Sequence, residues 1–154
     1  MSFHNLILDK LLLDLALATV PTGETIEVVE GKASERVSAL VGVRPGGSGP
    51  VFEADAEAYT NRTGAGVASF QVECFLASAN TDRDLMDFVD NLRNKLELPE
   101  SNTASLTVAG KGTVQDVTVI EADMDDQGED RTQTNIPRAT LEVAVRYDYE
   151  RGAL

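Results

Sequence analysis

The stretch VASFQVECFLASANTDRDLMDFVDNLRNKLEL, residues 67–98, decides the fold class. In its first part Ala68, Phe70, Val72, Cys74 and Leu76 fall on one side and Ser69, Gln71, Glu73 and Phe75 on the other. That period of two belongs to a strand with one face in a core. Asn80, Thr81 and Asp82 then offer helix-capping oxygens, and Leu85, Met86, Phe88, Val89, Leu92 and Leu96 recur at steps of three and four. The other side of that helix carries Asp84, Asp87, Asp90, Arg93 and Asn94 and so faces water. Pro99 ends it, because proline has no N–H for the next helical hydrogen bond. A helix lying on a half-buried sheet is the expected unit.

On the amino-terminal side, residues 3–20 read as a second helix, rich in leucine: Leu6, Leu8, Leu11, Leu12, Leu13, Leu15 and Leu17, with Ile7 among them. Asp9, Lys10 and Asp14 interrupt the apolar run well short of a membrane span, and no basic segment precedes it as in a signal peptide. Its apolar residues cover more than one stripe, which exceeds what packing on one sheet requires. Either a second layer of the same domain covers the excess, or another subunit does. After the break at Pro21-Thr22-Gly23, residues 24–31 and 37–43 read as short strands. Pro45-Gly46-Gly47-Ser48-Gly49-Pro50 reads as a structureless connector; it lacks the Gly-Lys-Ser/Thr ending of a phosphate-cradling loop. Alternation resumes at 51–60, so residues 44–66 are expected to form a long projecting hairpin arm.

Beyond the central helix the pattern is all strand. Leu106 and Val108, a Gly110-Lys111-Gly112 turn, then Val114, Val117, Val119 and Ile120 predict a hairpin. Residues 138–150, RATLEVAVRYDYE, alternate longest and most cleanly. The sum is one α+β domain over 1–154, two helices packed on a largely antiparallel sheet of about six or seven strands.

Composition narrows the function classes. Twenty-six acidic against 13 basic residues leave a net charge of -13, which repels nucleic acid phosphate and anionic lipid. Solubility explains such a surface, and so does adaptation to high salt, where counterions screen the carboxylates. The arginines are dispersed, with no basic stripe interleaved with aromatics to hold nucleic acid. Arg62 and Arg131, at expected loop tips, are the ones placed to pair with a neighbour's carboxylates, unless they are simply solvated. Cys74 is the only cysteine, on an apolar strand face, and His4 the only histidine, so a nucleophile–histidine hydrolase is not expected. The acidic run 123–130 has oxygens at the first, third and fifth places of a calcium loop and its glycine at Gly128. Thr134 stands where a bidentate Glu belongs, and strands flank the run where helices should. The expectation is therefore no enzyme, no cofactor and no specific metal site.

The layout resembles the tail terminator, or tail completion, proteins of long-tailed phages and related archaeal viruses. The likeness lies in the amino-terminal helix, the strands with a long arm, the central helix TDRDLMDFVDNLRNKLEL and the closing strand RATLEVAVRYDYE. The resemblance implies a virion protein at the head–tail junction, assembled in the host cytoplasm. Six copies would form a ring that caps the tail tube, ends its growth and joins the tail to the head connector. Its partners would be itself, the tube protein and a head-completion or connector protein, with DNA only in transit through an acidic bore and no membrane contact. Such a ring needs heterologous contacts; Leu8, Leu12 and Leu13 of the first helix, with Arg62 and Arg131, are the candidate interface residues. Another head–tail component, or a small acidic ligand- or cation-binding domain, is the alternative.

Overall fold

The computed structural model describes residues 2–31, 39–47, 50–55, 62–79, 81–124 and 137–154. The chain runs α1 (Phe3–Ala16), β1 (Ile26–Glu30), β2 (Ala39–Pro45), β3 (Phe52–Asp55), β4 (Thr63–Leu76), α2 (Asp82–Glu97), β5 (Thr107–Val108), β6 (Gly112–Met124) and β7 (Arg138–Glu150). The strands form one seven-stranded sheet in the order β1-β2-β4-β7-β6-β5, with β3 also on β4. Among the described residues only β1 and β2 pair in parallel; the other pairings are antiparallel. The expected α+β class is the observed one.

The decisive stretch folds as its pattern demands. Along β4, Ala68, Phe70, Val72, Cys74 and Leu76 are buried on the helix-covered face, opposite Val145, Val143, Leu141 and Ala139 of β7. Helix α2 buries Leu85, Phe88, Val89, Leu92 and Leu96 against them, while Met86, on the same periodic pattern, is 52% exposed. Thr81 caps α2 in extended backbone without a side-chain capping bond, and Asp82 and Asp84 set negative charge against the helix dipole. Leu98 is forced extended by Pro99 and ends the helix.

Two expectations are corrected and a third is refined. Helix α1 stops at Ala16 rather than Val20, because the Leu17 N–H donates to the Asp14 carbonyl (3.1 Å), an i−3 bond that tightens and closes the last turn. The expected hairpin strand β6 is irregular: it has register shifts between Val114 and Asp116 and between Val119 and Glu121, and Ile120, in the second, is 66% exposed. These bulges explain the uneven spacing of Val114, Val117 and Val119, all buried against β7. Phe75 lies on the face away from the helices, yet it is buried there with Leu40 in a second apolar cluster flanked by Val29.

Of the span 44–66, residues 44–45 belong to β2, 52–55 to β3 and 63–66 to β4, and β2 and β3 follow one another along the same edge of β4. The hairpin is thus β3–β4, with both described legs inside the sheet; residues 48–49 and 56–61 lie outside the described residues. The Pro45-Gly46-Gly47 turn lies against the sheet. Gly47 has φ +70°, and a Cβ there would stand 2.7 Å from that of Gln71 and 3.2 Å from a Glu142 carboxylate oxygen. Glycine is required on both counts.

Candidate functional site

The residues with the most reactive chemistry are dispersed. His4, on the first turn of α1, shares a hydrogen bond through Nε2 with the Tyr147 hydroxyl, and its ring centre is 5.1 Å from that of Phe52. Burial lowers its pKa. Cys74 is fully buried; its Sγ–H donates to the Ala139 carbonyl (3.5 Å), and burial pushes the thiol up to about 12. Ala139, the β7 partner of Cys74, is eight residues along β7 from Tyr147. At about 3.3 Å per residue the thiol and the imidazole are roughly 26 Å apart, too far to form a couple. Among the described residues no three His, Cys, Asp or Glu side chains gather as a metal site. The acidic run 123–130 lies mostly outside the described residues, as do Arg131 and Thr134.

Asp14 is the buried charge that the sequence reading passed over. It is 2% exposed, and its carboxylate ties α1 to the turn after α2. Oδ1 accepts from the backbone N–H and side-chain amide of Asn102 (2.9 and 3.0 Å), and Oδ2 from the backbone N–H and hydroxyl of Thr103 (2.9 and 2.6 Å). Such a fully bonded carboxylate is a structural clamp, not a free acid or base. Its position carried a signal: Ile7, Leu11, Asp14 and Ala18 share one helical stripe, and the other three are apolar.

Two broad surfaces are left uncovered by the described residues. On α1, Leu13 and Leu17 are 52% and 62% exposed, on the side opposite Leu11, with half-buried Lys10 in the same stripe. On the sheet, the described helices cover one face, and on the other the Pro45-Gly46-Gly47 turn lies over Gln71 and Glu142. That second face presents a middle band of Val67, Ala144 and Thr118, the latter two paired across β6 and β7. At one end of the band Asp116 faces Arg146 (3.6 Å) and the Gln115 amide donates to Asp148 (2.7 Å). At its other end stand Glu121, Asp123 and Glu142, with Glu121 directly opposite Glu142. A hydrogen bond with Asp123, and then its charge, hold the Glu121 carboxyl above its ordinary pKa. An open groove of about 310 Å³ lies where β5, β6 and β7 meet the start of β4, lined by Thr63, Thr107, Thr113, Asp148 and Glu150 among others.

The candidate interface residues separate on this map. Leu8 is 5% exposed and belongs to the core; Leu12 is partly buried against it; Leu13 points outward. Arg62 is exposed at the foot of β4, and its carbonyl accepts from the Arg151 N–H (2.8 Å). Leu17, beside Leu13, is the outward residue that the reading did not single out, although the i, i+4 spacing marks it.

The fold has a solved counterpart. A chain of the virion of a native gene transfer agent particle matches with a TM-score of 0.52 at 12% identity, over 97% of this chain and 95% of that one. At that identity the likeness is one of fold, and it runs almost end to end. No protein-family profile and no curated protein sequence matches the chain. No helix among the described residues is long and apolar enough to cross a membrane.

Proposed function

We propose that this chain is a structural, non-catalytic component of a virion-like particle, and within it the tail terminator: a ring of copies, six by the family resemblance, that caps the tail tube, stops its growth and joins it to the head connector. The observation that carries the reading is the fold shared from end to end with a chain of a gene transfer agent virion. The uncovered stripe on α1 supports self-assembly, since a single copy leaves Leu13 and Leu17 in water. The net charge of -13 supports a role beside DNA in transit, because like charge keeps a duplex from adhering. It also fits a halophilic host.

Adding the purified chain to polymerising tube protein tests the role. Tubes of fixed length with a ring at one end, in electron micrographs, are expected. Unregulated tubes together with binding to the head connector would reassign the chain to head completion.

A further inference from the structure

We infer that neighbouring copies stack helix layer on sheet: the outer stripe of α1 in one copy, Lys10, Leu13 and Leu17, lies on the open sheet face of the next, along the band Val67, Ala144 and Thr118 beside Glu121 and Asp123. The inference rests on the ring reading above and names the surfaces that close it. The two surfaces sit on opposite sides of a two-layer molecule, so the contact joins unlike patches, as a ring requires. Their shapes match: exposed leucines one turn apart meet a flat strip of small side chains. β4, β6 and β7 run 13 or 14 residues each. Three such strands, spaced about 4.8 Å apart, give a slab roughly 40 Å long, ample for a helix of 14 residues.

Charge sets the register. Lys10 is the cation of the stripe, and Glu121, Asp123 and Glu142 crowd at one end of the band. Glu121 shares a hydrogen bond with Asp123, which raises its pKa, and an ammonium arriving from the next copy would favour both carboxylates. Strand β1, at one end of the described sheet, offers a poorer contact, since Glu27 and Glu30 are exposed there and acidic edges repel one another.

The test compares self-association of the full chain, by light scattering and sedimentation, for wild type, Leu13→Glu, Lys10→Glu, Glu121→Lys and the combined Lys10→Glu/Glu121→Lys. Each single change is expected to weaken association about tenfold or more, with the unfolding midpoint unmoved, and the combined exchange to restore it. Glu121→Lys is the sharpest arm. It lowers the net negative charge, so general repulsion alone would strengthen association; only the loss of a specific pair weakens it. Single variants that associate like wild type, or an exchange no better than its parts, overturn the inference. If those variants also still fix tube length, the terminator reading stands without this contact. A wild-type chain that neither self-associates nor binds tube ends overturns both.

Discussion

The His4 ring is held between Phe52 and Tyr147, and the loss of water around it lowers its pKa below the ordinary value of about 6.5. Below that pH the unfolded chain binds more protons than the folded one, so stability rises with pH. The contribution of His4 is complete above about pH 6.5 and is lost as pH falls through that value toward the folded pKa. Urea midpoints measured between about pH 5 and about pH 7 are expected to fall on acidification more in wild type than in His4→Gln, which keeps a partner for the Tyr147 hydroxyl. Equal slopes would remove His4 as the source. Cys74 reports the other extreme of burial. With its thiol held at about 12 inside the core, modification by a thiol reagent near neutral pH should proceed only through global unfolding and slow in step with any stabilising change. Fast labelling of the native chain would contradict the packing of β4.

Elements are joined here by a few polar clamps as well as by apolar packing, and Asp14 is the strongest of them. Replacing it with Ala leaves the buried Thr103 N–H and hydroxyl without acceptors and unties α1 from the turn at 101–105. A loss of roughly 3 kcal/mol is expected in chemical unfolding. Asp9→Ala, an exposed change on the same helix, should stay within about 0.5 kcal/mol. A small effect at Asp14 would mean that the turn relaxes to water. The contrast shows what a sequence can convey. The strand and helix of 67–98 were legible because one period governs each, and RATLEVAVRYDYE was legible for the same reason. Asp14 was read as a charge breaking an apolar run, because periodicity shows which face a residue occupies but not the distant amides that satisfy it. The bulges of β6 were illegible for a related reason: an extra residue between Val114 and Asp116 changes the phase, so Val114 and Val117 fall out of alternation until the pairing with β7 is seen. Among the interface candidates the reading treated Leu8 and Leu13 alike, because it counted leucines; the fold puts Leu8 in the core and Leu13 outside.

For the whole molecule the governing quantity is its net charge of -13, carried by 26 acidic residues against 13 basic ones. Ion pairs such as Arg93 with Glu97 (2.6 Å) and Arg146 with Asp116 (3.6 Å) are partly solvated and do little to offset it. Compaction therefore gathers like charges, and self-repulsion opposes the folded state more than the expanded one. Salt acts on this term directly, since the screening length falls from about 30 Å at 0.01 M to about 3 Å at 1 M. Screening weakens the favourable pairs too, but they are short-ranged, whereas the repulsion is summed over the whole surface. Raising potassium chloride from about 10 mM to about 1 M should thus raise the thermal midpoint, by about 4–8 °C for roughly 2 kcal/mol of relieved repulsion in a chain of this size. Scanning calorimetry at both salts measures it, with the isolated effect of salt on hydrophobic burial controlled by a variant in which exposed acidic residues such as Asp87 and Asp90 are replaced by Asn. The variant should start higher at low salt and gain less. A midpoint that falls with salt would mean that specific ion pairs, rather than net repulsion, dominate the surface, and would remove the physical ground for a salt-adapted role.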